Sequence, residues 1–461
     1  MAGAPSGLMK NKLEAYKCCS NDVIHFKLVR SKKDVENEDI AFRPDMTHQL
    51  FGDHESIFGY RDLHLDLFYT AGALITYLKI KYLDKVTPEK FDGISADDVE
   101  KPIAEMMPPG YLTNIDDFVS SLEKEHLFRP PGEKVNSYQI HKDNCERTFE
   151  VFKASVLSPG FKNYHERLQT FLLFFIDAAS YIDIDDDRWT FYLLFEKYQQ
   201  NGCVCYAVVG YMTVYNYYAY LEKIRPRISQ VLILPPFQKL GHGAKLLQTF
   251  YNDTYERPEV LDITVEDPSE NFQRLRDFVD VRNCMKLSSY KRENLSSGFC
   301  EKMSTEARTK LKLSKRQARR CYEILRLKSV NIHDEDEFRA YRLDVKKRLN
   351  LPFHRSGKSL PKLCLMLNPK KLQSVLERRY LHLDIQFQML YENYKLVLSR
   401  LKRKVSSSST SLSSSSSSPL ESDRKKKRRK KCTAEQKESR KHKERRNNTH
   451  KHHKHKHNKA K

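Results

Sequence analysis

The ten cysteines of this chain are scattered, with no Cys-x-x-Cys pair among them. In a 461-residue chain such cysteines are reduced core residues, so neither a disulfide framework nor a zinc site is expected. Long apolar runs are missing too. The longest, 171–176, falls far short of the ~20 residues that cross a bilayer, and Asp177 ends it. The opening Met-Ala-Gly-Ala-Pro-Ser-Gly lacks the apolar segment of a signal peptide, and Gly3 is misplaced for myristoylation. The chain is expected to stay inside the cell, without a membrane partner. Key glycines are also absent. A dinucleotide-binding fingerprint opening at Gly241 needs a third glycine where Leu246 stands, and a nucleoside-triphosphate loop ending in Gly357-Lys358-Ser359 needs one where Pro352 stands. Asp183, Asp185 and Asp187 imitate the start of a calcium loop, but Arg188 replaces the turn glycine and Leu194 the bidentate glutamate.

What is present is 39% hydrophobic, 11% aromatic and 31% charged, which excludes a wholly disordered, collagen-like or membrane-spanning chain. The net charge of +22 is uneven: from Lys402 onward 22 Lys/Arg face 5 Asp/Glu (+17), leaving 60 against 55 (+5) before it. A nearly neutral body carries a strongly basic tail. Residues 1–130 mix short alternating runs, such as 24–29, with an aromatic segment, 65–79, that suits a sheet or a helix; they read as a separate α+β domain. A linker containing Pro130, Pro131, Gly132 and Ser137 precedes a block at 131–285 with clearer signals. Helix-period residues over 167–179 lead to the acidic turn 183–187, then to two β-rich runs, 188–197 and 203–220. Asn201-Gly202 between them supplies the positive φ of a hairpin turn. A third strand, 228–234, ends at Pro235-Pro236. A loop at 238–244, a helix at 245–255 and a strand at 260–265 follow.

Residues 286–401 read as helical and basic. Leu372, Leu376, Tyr380, Leu383, Phe387, Leu390, Tyr394, Val397 and Leu401 form the stripe of a long amphipathic helix. Residues 402–461 hold a serine run at 406–418, a basic run at 424–431 and a Lys/His end with His450, His452, His453, His455 and His457. This composition is expected to be disordered. The basic run suits nuclear import or non-specific nucleic-acid contact, with a plain solvated tail as the alternative.

Two local patterns carry chemistry. Gln238-Lys239-Leu240-Gly241-His242-Gly243-Ala244 opens a helix directly after a strand. Glycines there let an anion approach the backbone, and the first-turn N–H groups point at it; an ordinary strand-to-helix turn is the bland reading. Glu266-Asp267-Pro268 closes the next strand. Paired carboxylates beside a phosphate cradle suit a general base, while Asp267 ahead of Pro268 equally suits an N-cap.

The hairpin, the Q-x-x-G-x-G loop and the following strand together resemble the Gcn5-related N-acetyltransferases, whose pyrophosphate motif Gln238, Gly241 and Gly243 match. Longer strings are similar to the type B histone acetyltransferases: 164–171 (Tyr-His-Glu-Arg-Leu-Gln-Thr-Phe), 208–218, 232–238, 261–269, 47–53 (Thr-His-Gln-Leu-Phe-Gly-Asp) and 322–327. That resemblance spans about residues 10–400. It implies an α+β fold with a mixed, mostly antiparallel sheet, and transfer of an acetyl group from acetyl-CoA to lysines of the free histone four tail, with histone two A as a further substrate. No metal takes part.

By resemblance, Glu266 is the general base, supported by Asp267 and Asp177. Many members carry Glu where Asp177 stands, and the shorter side chain disfavours direct proton abstraction there. Lysine, with a reference pKa of ~10.4, must lose a proton before it attacks a thioester, and a partly apolar cleft would lift a carboxylate toward neutrality for that task. Backbone groups of Val231, Leu232 and Ile233 would pair with the pantetheine arm and one N–H would face the oxyanion. Gln238, Lys239, Leu240, Gly241, His242, Gly243 and Ala244 would hold the pyrophosphate, and Ser269 and Phe272 would touch the cofactor. The peptide groove would comprise Asp53, His54 and Glu55, the single Trp189, and Tyr215, Asn216 and Tyr217. A covalent route through Cys203 or Cys205 is disfavoured, since strand cysteines are usually inert. Implied partners are histone three/four complexes and a WD-repeat chaperone of the retinoblastoma-binding type, in nucleus and cytoplasm. A non-catalytic chromatin or nucleic-acid-binding scaffold, and an acetyltransferase for another amine, remain the competing readings.

Overall fold

Asn201 (φ 51°) and Gly202 (φ 77°) turn the chain between two long strands, as a tight hairpin of this handedness requires. In the computed structural model, which describes residues 12–142, 145–355 and 369–409, that hairpin is the centre of a six-stranded sheet. Ahead of it, Ile24–Val29 (β1), His64–Thr70 (β2) and Thr76–Lys81 (β3) form a three-stranded sheet in the order β1-β2-β3, with β1 and β2 parallel. The aromatic segment 65–79 is therefore strand, broken by a turn. Glu133–Lys142 (β4) occupies most of the stretch read as a linker, and pairs with Cys145–Ser155 (β5). Its exposed and half-buried residues give it the composition of a loop. Trp189–Gln200 (β6), Cys203–Ala219 (β7), Lys223–Ile233 (β8) and Thr264–Val265 (β9) complete the sheet in the order β9-β8-β7-β6-β5-β4. Only β8 and β9 run parallel. The run from Cys205 to Val214 in β7 is buried without alternation, because both faces of this central strand are covered.

The helix expected over 167–179 is shorter and displaced. Phe161–Leu168 (α1) gives way to a 3-10 turn at Gln169–Phe171 and a single helical turn at Leu172–Phe175. Phe171, Leu172, Phe174 and Phe175 all enter the core. Phe26 meets Phe174 at 4.9 Å and Tyr69 meets Phe171 at 4.4 Å, so the block before residue 130 shares one continuous core with the central sheet. The division at 130 marks a change of sheet within that core.

His242–Tyr255 (α2) and Glu270–Cys284 (α3) follow β8 and β9. The strand expected over 260–265 narrows to Thr264–Val265, with isolated bridges from Val260 to Ile224 and from Ile263 to Leu313. Glu301–Leu311 (α4), Lys315–Ser329 (α5), Glu335–Arg355 (α6) and Pro369–Ser409 (α7) make up the helical region. Fully buried Glu323 on α5 accepts from Arg319, from Arg348 on α6 and from the Tyr394 hydroxyl on α7. Buried charge is tolerated only when paired and hydrogen-bonded in this way. The apolar stripe of α7 packs on the chain itself from Leu383 onward through Phe387, Tyr394, Val397 and Leu401, whereas Tyr380 is exposed. Leu372 lies outside the residues whose side chains are described. Two units divide the chain, Met1–Lys402 and Arg403–Lys461. Of the second, the structure describes only the end of α7, which runs past the boundary read at 401; the serine, basic and Lys/His runs from 410 on lie outside the described residues. Among the described residues no helix is long and apolar enough to cross a membrane, and no group of His, Cys, Asp and Glu is placed to hold a metal ion.

Candidate active site

β8 has two halves. Arg227 and Ile228 pair with β9, whose last residue is Val265, and beyond that point β8 continues to Ile233 along β7 alone. Leu234 donates its N–H to Val209 O (2.9 Å), and the register sets Leu232 opposite Tyr211. Counting back in twos, the backbone of Leu232 is spent on β7, while those of Val231 and Ile233 face the open side. Of the three groups expected to meet a pantetheine arm, Val231 and Ile233 face the open side and Leu232 faces β7. The Ile233 carbonyl already accepts from Gln238 Nε2 (2.9 Å), so Gln238 pins the start of the loop to the strand.

The loop enters α2 through Lys239 (φ 66°) and Gly241 (φ 92°), and the helix starts at His242 rather than 245. Gly241 is the N-cap in a conformation that favours glycine, with open space where a Cβ would be. Gly243 has a different reason: a Cβ there would stand 3.0 Å from Leu275 Cδ2 on α3. The N–H groups of 242–244 belong to the first turn and have no intrahelical acceptor. Lys239 is exposed, Leu240 half-buried and Ala244 buried. The His242 side chain turns inward, with Nδ1 2.8 Å from the Tyr138 hydroxyl and its ring 4.3 Å from Phe149, and burial pushes its pKa down to about 4. It is neutral, and only its backbone faces the loop opening. An open strand edge beside a glycine-bounded helix start fits a thioester carried on a pyrophosphate.

Glu266 follows directly. Its N–H donates to Ile228 O (2.9 Å) and its Oε2 accepts from Ser229 Oγ (2.8 Å), fixing the carboxylate where β8 loses its neighbour. It is exposed, so the chain alone does not form the partly apolar cleft expected around it. Asp267 is exposed at φ 26°, and it is not the cap of α3. Ser269 is, accepting from the Phe272 N–H at 3.2 Å. Phe272 is half-buried against the core.

Asp177 sits in a turn with Ala178 at φ 57°, held from two sides: Gln49 Nε2 donates to Ala179 O (3.0 Å) and Gln230 Nε2 to Ser180 O (3.0 Å). Its Oδ1 lies 3.4 Å from His48 Nε2. The turn that bears Asp177 is thus tied in, while the carboxylate itself stays exposed. Gln230 and Ser229 are consecutive on β8, so the Asp177 turn and Glu266 attach to the same stretch of strand. Glu55 is spent internally, accepting from Thr47 N–H (3.0 Å) and Asn21 Nδ2 (2.9 Å), while Asp53 and His54 are exposed at the loop tip. Sequence reasoning gave His48, Gln49 and Gln230 no role; their partners lie too far along the chain for spacing to show.

Trp189 pairs with Tyr215 across β6 and β7 with rings 4.9 Å apart, and Tyr217 meets Tyr215 at 4.6 Å. The Tyr215 hydroxyl donates to Asp186 (2.9 Å), and Arg188 both chelates Asp186 and covers the Tyr215 ring. That guanidinium holds the half-buried Asp186 carboxyl well below its usual range. Asn216 Nδ2 donates to Arg188 O and Thr190 Oγ1, and Arg227 covers Tyr217 at 4.6 Å. Tyr215 faces Arg227 in the register, two residues along β8 from Ser229, so the aromatic cluster flanks Glu266. Asp186 was read only as part of the acidic turn 183–187. At the opposite end of β7, Cys203 is exposed and Cys205 buried, its thiol pushed up by burial.

The opened edge of β8, the glycine-bounded start of α2 and the carboxylates after β9 define an acetyl-CoA-dependent N-acetyltransferase with the Gcn5-related fold. Residues 16–177 match the family model described as "Histone acetyl transferase HAT1 N-terminus", and 276–327 that of "Histone acetyltransferase type B catalytic subunit, C-terminal". The histone acetyltransferase type B catalytic subunit of Homo sapiens is 47% identical over 403 residues, which is 86% of this chain and 96% of its own length. That of Mus musculus is 46% identical over 86% of this chain and 97% of its own. One from Dictyostelium discoideum is 32% identical over 72% and 75%. The chain belongs to the family of histone acetyltransferase type B catalytic subunits. A solved aminoglycoside acetyltransferase from an uncultured soil metagenomic sample covers 30% of this chain and 88% of its own at 14% identity; at a TM-score of 0.22 that likeness carries no weight.

Proposed function

We propose that this histone acetyltransferase acts on lysines in the N-terminal tail of newly synthesised, free histone four, with histone two A as a second substrate, by direct attack in a ternary complex. The observation that carries this reading is the fixing of Glu266 by Ile228 and Ser229 where β8 becomes an open edge, beside the Trp189, Tyr215 and Tyr217 cluster. Bound acetyl-CoA supplies the thioester. Val231 and Ile233 hold its arm, and the 238–244 loop with Ser269 and Phe272 holds the rest. Glu266 takes the proton of the acceptor amine, with Asp267 and Asp177 supporting it. Aromatic faces contact the lysine stem and neighbouring cations, and Asp53 with His54 draws the basic tail in. Glu55, held by Thr47 and Asn21, shapes that loop. Histone three/four complexes and a WD-repeat chaperone of the retinoblastoma-binding type are the proposed partners, nucleus and cytoplasm the proposed compartments. The resemblance supports all of these, and the basic run 424–431 supports nuclear import and non-specific nucleic-acid contact.

The test is acetyl transfer from radiolabelled acetyl-CoA to a histone four tail peptide by the full chain and by Glu266→Gln. Glutamine keeps an oxygen for Ser229, so the change removes acid–base function and little else. Turnover should fall about 100- to 10,000-fold with acetyl-CoA binding retained. A loss under tenfold removes Glu266 as the base. No turnover by the full chain with its chaperone present returns the scaffold reading.

A further inference from the structure

β8 changes its pairing over two residues. As far as Ile228 it runs beside β9, and the same register sets Glu266 next to Ser229 at the following step. On its other edge Ile228 stands opposite Val214 and Val231 opposite Met212, so Ser229 and Gln230 together face the single residue Thr213 of β7. This is a β-bulge with its extra residue on β8, separate from the register shift between β6 and β7 at Leu194 and Phe195. A bulge bends its strand, and beside a site it re-aims a side chain or ends a pairing. Here a side chain holds it: the Gln230 N–H donates to Thr213 Oγ1 at 3.0 Å. Both residues are buried, so water is not at hand to replace that acceptor.

We infer that Thr213 is a positioning residue for the transfer: it holds the bulge at which β8 parts from β9 and turns the Ser229 hydroxyl to Glu266. The inference rests on the reading of Glu266 as the base. Ser229 Oγ donates to Glu266 Oε2 at 2.8 Å, and the Ile228 carbonyl accepts the Glu266 N–H at 2.9 Å. The residue is therefore fixed at two points, on the bulge and on the residue just before it. Glu266 is exposed, so packing does little to orient its carboxylate and the half-buried Ser229 does more. Thr213 acts through Gln230 and Ser229, not on the reacting atoms.

The bulge is gripped from two sides. The Gln230 backbone is held by Thr213, and its side chain by the Ser180 carbonyl, to which Nε2 donates at 3.0 Å. Threonine suits the place for two reasons: its branched Cβ packs well in a central strand, and its hydroxyl supplies the acceptor. Valine has nearly the same shape without that oxygen, and would leave the Gln230 N–H buried and unpaired. The strand can relieve this only by changing its course at Ser229 and Gln230, which carries the hydroxyl off Glu266. Further along, Leu232 and Ile233 keep their partners Tyr211 and Gly210, so the edge facing the cofactor stays in place.

The experiment measures steady-state acetylation of the histone four peptide by the full chain, by Thr213→Val, Thr213→Ser and Ser229→Ala, and by the Thr213→Val/Ser229→Ala double variant, each checked for folding by thermal melting. Thr213→Val and Ser229→Ala should each lose kcat by about three- to tenfold, less than the removal of an acid–base group, with KM for acetyl-CoA unchanged. Thr213→Ser keeps the acceptor and should restore most of kcat. Because Thr213 works through Ser229, the double variant should lose no more than the larger single loss. Losses that multiply in the double variant overturn the inference, as does a Thr213→Val loss that Thr213→Ser shares or one accompanied by a rise in acetyl-CoA KM. If Thr213→Val does not fold, Ser229→Ala decides alone: unchanged kcat overturns the inference, and a loss with acetyl-CoA KM held supports it. A near-normal rate for Glu266→Gln would instead sink the reading of the base itself, which keeps the two failures apart.

Discussion

Replacing Gly210 by alanine tests whether the open edge of β8 depends on how closely β7 approaches it. Gly210 pairs with Ile233, and its φ lies outside the left-handed region, so space alone decides the outcome. A Cβ built there overlaps the Leu232 carbonyl oxygen and stands 2.9 Å from Ile233 Cα. Both are backbone atoms, so no rotamer change relieves the contact. Carbon atoms settle at about 3.5 Å or more, so β8 must move by roughly half an ångström or further. Overpacking of this kind costs about 1–3 kcal/mol. At about 2 °C per kcal/mol, the lower end suited to a long chain, Gly210→Ala should melt roughly 2–6 °C lower. The shifted backbone carries Ile233, whose carbonyl anchors Gln238, and Val231 beside it. KM for acetyl-CoA should therefore rise several-fold while KM for the histone peptide changes little. Thermal melting and steady-state transfer measure both effects. A melting point within 1 °C of the parent and an unchanged acetyl-CoA KM would refute the argument that this contact sets the edge.

Gly243→Ala should show the opposite balance. Its new methyl is close only to a side chain that can give, the half-buried Leu275 at 3.0 Å, with Ile233 Cγ1 in ordinary contact at 3.9 Å, and alanine gains about 1 kcal/mol of helix propensity over glycine, so melting should hold or rise while acetyl-CoA KM increases if the first turn of α2 seats the pyrophosphate. His165 gives a pH signature: burial against Phe161 and Phe191 pushes its pKa down to about 4 from 6.5. The unfolded chain then binds the extra proton, so this group's contribution is full above pH 6.5 and is lost as pH falls toward 4, by about 3 kcal/mol at most. Chemical denaturation of His165→Phe at pH 5 and pH 7 should show a smaller stability difference than the parent; an equal difference would contradict the assignment.

The parts of this molecule legible in the sequence are those fixed by a few adjacent residues. Asn201-Gly202 and Pro235-Pro236 restrict backbone dihedrals to a hairpin turn and a strand end, and both appear where expected. Gly241 reads as a loop glycine because its φ of 92° suits little else. Where two residue types do the same local work, sequence cannot choose, and Ser269 rather than Asp267 caps α3. β4 was hidden because a sheet-edge strand with much of its surface exposed needs no apolar alternation.

The site divides in the same way. The Q-x-x-G-x-G loop and Glu266 lie within 30 residues of one another in the sequence and were found together. Asp177 was found only by resemblance, because Gln49, separated from Ala179 by 130 positions, fixes the turn that bears it. Such a contact leaves no periodicity and no spacing; it exists only because the N-terminal block and the central sheet share one core. That core therefore has a chemical consequence as well as a structural one. Phe26 against Phe174 and Tyr69 against Phe171 seat the segment leading into Asp177, and the short helix bearing His48 reaches that carboxylate from the N-terminal block. An acetyltransferase core cut free at residue 131 would keep the loop, β8 and Glu266, yet lose both the grip on the Asp177 turn and the imidazole beside it.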